Sequence, residues 1–228
     1  FGVVDSSHIS HIGLHNASIR GRQVVGGLIG HGFNTSQISQ SYVQGDIVGS
    51  TSTGGLAGRF NGIIEHSYSS GDVESSGICA GGLAGDMAGQ IRDSYSTASV
   101  KGMRDYVGGL VGEMNGSISR SYATGSVQSR VWYAGGLVGW MDGASISDSY
   151  ATGNVIGGSS HAGGLVGRNY ATISRSYATG NVQGGDETGG LVGYNSGASI
   201  NQSYATGRVS GRGYRVGGLV GLNFNGSI

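Results

Sequence analysis

The stretch Gly108-Gly109-Leu110-Val111-Gly112, followed by Ser121-Tyr122-Ala123-Thr124-Gly125-Ser126-Val127, begins again at Gly135-Gly136-Leu137-Val138-Gly139, 27 residues on. Outward from it, Gly-Gly-Leu-(Val/Ala/Ile)-Gly occurs eight times, starting at Gly26, Gly54, Gly81, Gly108, Gly135, Gly163, Gly189 and Gly217. Successive spacings are 28, 27, 27, 27, 28, 26 and 28. Ile-x-x-Ser-Tyr follows the first seven copies and supplies Tyr42, Tyr68, Tyr95, Tyr122, Tyr150, Tyr177 and Tyr204. A polar-Val (once Ile) element then supplies Ile47, Val73, Val100, Val127, Val155, Val182 and Val209. Self-similarity at a fixed period marks stacked or arrayed units.

Each unit holds three short apolar stretches rich in Ile, Val, Tyr and Thr, separated by Gly-rich corners. None is long enough or periodic enough for a helix, and the composition suits strands. Asn61-Gly62, Asn115-Gly116, Asp142-Gly143 and Asn225-Gly226 read as corners, where positive φ comes easily. One such unit cannot bury its own apolar face, but a stack can. The expected fold is all-β: a parallel β-helix or β-solenoid of about eight coils, roughly 27 residues and three short strands per coil. At about 4.8 Å per coil it forms a rod roughly 40 Å long. An array of antiparallel β-hairpins has the same period and stays open as an alternative. Residues 1–25 read as a degenerate first coil or lead-in, with Ile9, Ile19 and Gly21 in place and Ile12-Gly13 where Ser-Tyr belongs. Residues 26–228 form the repeat solenoid, expected to be truncated at both ends. Its raw ends invite end-to-end or filamentous self-association.

The residue before each Ser-Tyr reads Gln40, His66, Asp93, Arg120, Asp148, Arg175, Gln202. Four successive members alternate in sign, as an in-register stack requires of charges about 5 Å apart. A period of two then puts Arg120, Tyr122 and Thr124 on the water side and Ser121 and Ala123 inside. Seven serines (Ser41, Ser67, Ser94, Ser121, Ser149, Ser176, Ser203) face inward and must hydrogen-bond along the stack. Ile118 breaks this parity unless a bend falls between it and Arg120. The rival reading buries the tyrosines and exposes the serines.

Composition excludes several functions. Of 228 residues 49 are Gly, none is Pro and one is Cys, and 13 basic residues balance 13 acidic ones. A neutral chain has no electrostatic footprint for nucleic acid. No apolar run approaches the length of a membrane-spanning helix, so no membrane insertion is expected. Cys79 alone supports neither an internal disulfide nor a thiolate zinc site. His8, His11 and His15 lie close in sequence, but in an extended strand His8 and His11 face opposite ways, so no metal and no cofactor is expected. The residues following each Gly-Leu-x-Gly run His31, Arg59, Asp86, Glu113, Trp140, Arg168, Tyr194, Leu222. Asp86 and Glu113 fall one coil apart, at the separation that glycosidic carboxyl pairs use, but a shared column on a solenoid flank is more simply a solvated edge.

The Gly-Gly-Leu-Val-Gly and Ser-Tyr-Ala-Thr-Gly-(Asn/Ser)-Val motifs together resemble the GLUG repeat of bacterial surface and secreted proteins. Copies at 108–127, 135–155, 163–182 and 189–209 are close, while those at 26–47, 54–73 and 81–100 are looser. The resemblance implies export and an elongated architecture, as in adhesin-like and haemagglutinin-like exoproteins and in accessory regions of IgA-specific metallopeptidases. It assigns no catalytic residue, and the His-Glu-x-x-His motif of those peptidases is absent.

Between each Val and the next Gly-Gly the repetition stops. These segments gather Arg104, Tyr106, Arg130, Trp132, Tyr133, Tyr214 and Arg215, aromatic and Arg residues of the kind that dominate binding surfaces. They and the seven-tyrosine column are the candidate binding residues, the tyrosines as flat rings on which sugars could stack. The expected function is a non-catalytic rod of a bacterial exoprotein, extracellular or on the cell surface, presenting a binding edge to glycan or to a host or neighbour-cell protein. The alternatives are an accessory recognition module of a secreted peptidase or polysaccharide-processing enzyme and, more remotely, ice binding through the single Thr column (Thr97, Thr124, Thr152, Thr179, Thr206).

Overall fold

The computed structural model describes residues 1–143 and 145–228. Every strand pairing among them is parallel, in three sheets of 13, 14 and 8 strands that run the length of a solenoid. The hairpin array is thereby excluded. One coil is represented by Val111–Ser119 on the first face, Tyr122–Ala123 and Val127–Ser129 on the second, and Ala134–Gly135 on the third. The second face is thus built from two short strands. They fuse into one in the first two coils, at Gly13–Arg20 and Tyr42–Gly49.

Like stacks on like. Ile91, Ile118, Ile146, Ile173 and Ile200 pair in order, as do Val100, Val127, Val155, Val182 and Val209. Residues 1–25 occupy the coil before, with Ile9 opposite Ile38, Gly13 opposite Tyr42 and Ile19 opposite Ile47. Changes in unit length fall outside these columns. The 26-residue spacing arises in the loop, where Ile156 pairs Gln183 but Ser160 pairs Asp186. The 28-residue spacing just before it arises on the first face, where Met114 pairs Met141 but Ser117 pairs Ser145.

The parity conflict is resolved at the corner residue itself. Gln40, His66, Asp93, Arg120, Asp148, Arg175 and Gln202 all have φ between 45° and 50°, a left-handed turn that non-Gly residues rarely take. It swings the chain from the first face to the second and leaves both Ile118 and Ser121 inside. By contrast Asn61-Gly62 and Asn115-Gly116 are not corners between strands. Their glycines, at φ 150° and 145°, bend continuous first-face strands, Ala57–Glu65 and Val111–Ser119.

The left-handed corner leaves the next N–H turned away from the neighbouring strand, and the serine side chain meets it. Ser121 Oγ accepts the N–H of Ser94 at 3.2 Å and donates to the Ser119 carbonyl at 2.8 Å. The same N–H to Oγ bond runs from Ser41, Ser67, Ser94, Ser121, Ser149 and Ser176 to the serine of the next coil. These six serines are only 1% exposed. The serines therefore face the core, and the rival orientation is excluded.

The Gly-Gly corner has a steric cause. A Cβ on Gly109 would lie 2.1 Å from the Gly136 carbonyl oxygen, and one on Gly112 2.8 Å from the Tyr106 oxygen. Only glycine lets the start of the first face pass this close to the third. Inside, one column changes character along the rod. Phe60, Met87, Met114 and Met141 are followed by Asn169, Asn195 and Asn223. Asn169 and Asn195 are fully buried and pass amide hydrogen bonds of 2.7 Å along the axis to Asn223, so the polar column carries its own partners.

Ser121→Ala leaves the buried Ser94 N–H without a partner, and we expect a loss of about 1–3 kcal/mol of stability. Ser126→Ala, on an exposed neighbour, should stay within about 0.5 kcal/mol of the parent. Equilibrium urea unfolding of the two variants checks this.

Candidate functional site

Two surfaces collect the candidate residues, and they lie on different parts of the coil. The first is the tyrosine column on the second face. Its seven rings stack with centroids 4.8–5.1 Å apart and planes within 2–6° of parallel. The spacing is that of the strands themselves. Each ring face is therefore covered by the next ring, and a sugar cannot lie on a face within the column. What the column offers outward is ring edges and hydroxyls. Burial, and then the neighbouring phenols, pushes the Tyr68, Tyr122 and Tyr177 hydroxyls up. His15 closes one end through a 2.5 Å contact with the Tyr42 hydroxyl.

The corner charges beside it pair in twos. Arg120 makes two 2.7 Å bonds to Asp93, and Arg175 makes two to Asp148. Both guanidiniums reach to the coil before. Their hydrogen bonds hold the Asp93 and Asp148 carboxyls below the usual carboxylate range. These pairs are exposed, so their value lies in register more than in stability.

The second surface is where the third face folds back onto the first. The third-face column Tyr106, Tyr133, His161, Glu187, Arg215 runs alongside the first-face column Glu113, Trp140, Arg168, Tyr194. Here the stacked residues are unlike. Arg168 sits among four rings, 5.0 Å from the Trp140 and Tyr170 centroids, 5.2 Å from Tyr194 and 5.6 Å from Tyr133. Its Nη1 donates to the Tyr133 hydroxyl at 3.1 Å. Such cation–ring contacts strengthen as water is excluded. His161 lies 4.9 Å from the Tyr133 ring and pairs with Glu187 at 2.7 Å, and Arg215 holds the other Glu187 oxygen at 2.6 Å. Tyr133, His161 and Glu187 have φ of 42°, 56° and 54°. This is the left-handed conformation that also turns the corner at Arg120 and its equivalents.

Of the sequence candidates, Tyr106, Tyr133 and Arg215 join this cluster. Trp132 flanks it, 6.1 Å from the Tyr133 ring, and is 46% exposed. Arg104, Arg130 and Tyr214 stand out on the neighbouring loop corner, exposed to solvent. Trp140, Arg168, Tyr170 and Tyr194 were not among the candidates. Their signal was the run of aromatic and cationic residues after Gly-Leu-Val-Gly in the later coils.

The carboxylate pair is engaged by protein groups. Arg59 holds Asp86 at 2.6 Å, while the Cys79 thiol donates to Glu113 at 3.5 Å. Burial, and then Asp86, raises the Glu113 carboxyl above its usual range. Burial likewise pushes the Tyr106 hydroxyl up to about 12 and the Cys79 thiol well above the ordinary thiol range. His8 meets Ser39, and His15 meets Gln44 and Tyr42. Among the described residues no three His, Cys, Asp or Glu side chains gather as metal ligands.

Two titrations follow. Asp93 should titrate below free aspartate by carboxyl NMR and return toward it in Arg120→Gln. The sign is that of a lowered acid: its contribution to stability is present above the ordinary range and is lost as pH falls through the lowered value. His161 should titrate below about 6.5, because burial outweighs the Glu187 charge. Glu187→Gln should depress it further. Its unfolded form binds the proton first, so stability falls as pH drops through the ordinary histidine range.

Comparison with known proteins supports the repeat. The family described as "Glug: The GLUG motif" matches residues 131–156, 158–183 and 184–210. The copy at 108–127 lies outside the matched residues. No curated protein matches the chain significantly. Among solved structures, a candidate immunoglobulin A1 protease from Bacteroides ovatus is similar with a TM-score of 0.58 at 17% identity. The likeness covers 99% of this chain and 66% of that one, so the chain spans about two thirds of its length. At that identity the likeness speaks for the fold. Residues 131–156, 158–183 and 184–210 thus match the GLUG motif, and they lie within a parallel β-solenoid.

Proposed function

We propose that this repeat module is a non-catalytic recognition rod of a bacterial exoprotein. It acts outside the cell and meets glycan or a glycoprotein of a host or neighbouring cell along its loop edge. The observation that carries the reading is a contrast. On the second face tyrosine stacks on tyrosine, and at the neighbouring corners Arg120 and Arg175 pair with Asp93 and Asp148, so these groups satisfy one another. Along the edge of the fourth to eighth coils unlike residues stand together, with Trp132 and Tyr214 exposed beside the Tyr133–Arg168 cluster. Exposed aromatic and Arg side chains on a rigid scaffold are the usual ingredients of binding hot spots.

A second reading makes the same rod an accessory substrate-recognition module of a secreted peptidase. It is favoured by the likeness to the candidate immunoglobulin A1 protease. Both readings need a binding edge; they differ in what is tethered to it.

The test is binding of the isolated chain to arrays of glycans and host glycoproteins. We expect retained partners, and at least a tenfold loss in a Trp132→Ala/Tyr214→Ala double variant, with Tyr150→Phe binding as the parent does. A chain that binds nothing on either array, yet hydrolyses a glycan in a manner abolished by Glu113→Gln, replaces this reading with an enzyme.

A further inference from the structure

The loop corner of the later coils contains a notch. Arg130 and Arg212 mark its two ends, and the rungs between them carry glycine. A Cβ on Gly158 would lie 2.2 Å from the Arg130 carbonyl oxygen, and one on Gly185 would lie 1.9 Å from the Ser159 oxygen. These rungs cannot accept a side chain without moving. Three coil spacings separate the two arginines, about 14 Å along the rod. Their backbones are fixed, since the Arg130 N–H bonds Gly102 and the Arg212 N–H bonds Gly184, each at 3.1 Å.

The floor holds two adjoining depressions. One, of about 340 Å³, lies between Ser129, Ile156, Gln183 and Arg212. The other, of about 320 Å³, lies between Ser159, Asp186, Arg212 and Tyr214. Arg212 lines both. An exposed ring stands at each end: Trp132 two residues beyond Arg130, and Tyr214, 97% exposed, two residues beyond Arg212.

Arg59, Arg92, Arg120, Arg175 and Arg215 each hold a carboxylate within 4.0 Å. Arg130 and Arg212, like Arg20, Arg22, Arg104, Arg168 and Arg208, stand outside the ion pairs of the rod among the described residues. Asp186 Oδ1 accepts the Tyr214 N–H at 2.7 Å, and Glu187 lies between His161 and Arg215.

We propose that this notch binds an acidic oligosaccharide, its carboxylate or sulfate groups taken by Arg130 and Arg212 and a sugar ring lying on Trp132 or Tyr214. The proposal rests on the recognition-edge reading and names its ligand class. Guanidinium is suited to planar, two-point contact with carboxylate and sulfate-like groups. Gln183 and Asp186 add partners for hydroxyls. The span between the arginines favours a short oligomer over a single sugar. An acidic peptide fits less well. Arginine clusters also take acidic peptides, but the exposed rings of Trp132 and Tyr214 at the two ends suit sugar rings and favour the saccharide.

The experiment is titration calorimetry of the full chain with four probes: a uronate-containing oligosaccharide, a sulfated oligosaccharide, a neutral oligosaccharide of equal length, and oligoglutamate. We expect the uronate or the sulfated probe to bind. That binding should weaken with added salt and fall at least tenfold in Arg130→Gln/Arg212→Gln. Both positions are exposed, so an unchanged melting curve will show the variant folded. Binding that survives the double change leaves the recognition edge standing and overturns this site. Equal binding of the neutral probe overturns the role of charge, and preference for oligoglutamate reassigns the notch to acidic peptide. A parent chain that binds none of these probes overturns the site, and only a further blank on the glycoprotein array overturns the recognition edge with it.

Discussion

The structure depends on one hydrogen bond made again in each coil: a backbone N–H at the corner meets the serine Oγ of the coil that follows. Along a straight parallel strand the neighbour's carbonyl would take that N–H. At Arg120 and its equivalents the chain turns through the left-handed region, and the next N–H loses its backbone partner. A buried N–H left alone costs more than most side chains could return. Serine answers with the shortest side chain that both accepts from outside and donates to its own carbonyl two residues back. Alanine has no oxygen to offer, and the bond forms only when equivalent corners lie directly over one another. The serine column is thus a register device as well as a stabilising one. The two-point Arg120–Asp93 and Arg175–Asp148 pairs at the adjacent position reinforce it from the water side.

The glycine corner governs shape as the serine corner governs register. Because Gly108 and Gly112 carry no Cβ, the first face starts within backbone contact of the third. Two side-chain columns that a wider corner would hold apart are pressed together. Where those columns bring Cys79 to Glu113, the result is a thiol–carboxylate hydrogen bond; where they carry Tyr133, Trp140, Arg168 and Tyr194, it is an aromatic box around a cation. One backbone geometry therefore makes different surfaces, according to what the non-repeating positions bring to it.

What could be read in the sequence follows the same division. A stack in register turns a 27-residue period into a distance, so every repeated column was legible: Ile118 inside, Ser121 inside, Tyr122 over Tyr95. Ring orientation was not, because spacing fixes how far apart the tyrosines are and leaves open whether they face each other or the solvent. The turn at Arg120 was detectable only as a parity conflict between Ile118 and Ser121. Its left-handed form had no composition cue, since Arg, Asp, His and Gln share the position. The change from Met141 to Asn169 inside the core broke a column, and the buried amide chain it creates depends on backbone partners such as the Ala171 carbonyl. The aromatic box was the hardest to see. Tyr133 and Arg168 are 35 residues apart and belong to different columns. Nothing in the period says that these two columns adjoin; the glycine corner does.

This separation bears on how such a rod can acquire a binding surface. The repeated positions carry the hydrogen bonds and the buried apolar groups, and they recur in each coil. The exposed loop side chains contribute little to either, so positions such as Arg130 and Arg212 can differ from coil to coil while the stack stays the same. A ligand site assembled from such positions draws one or two side chains from each of several coils. Their separations along the axis are then set by the strand spacing and not by the flexibility of the loops. Affinity at a site of this kind is limited by how well those spacings hold. A weakened serine bond would be felt there as a loosened register, even though none of the serines touches the edge. Register, laid down by repeated corner chemistry, is what allows a set of non-repeating side chains to act together.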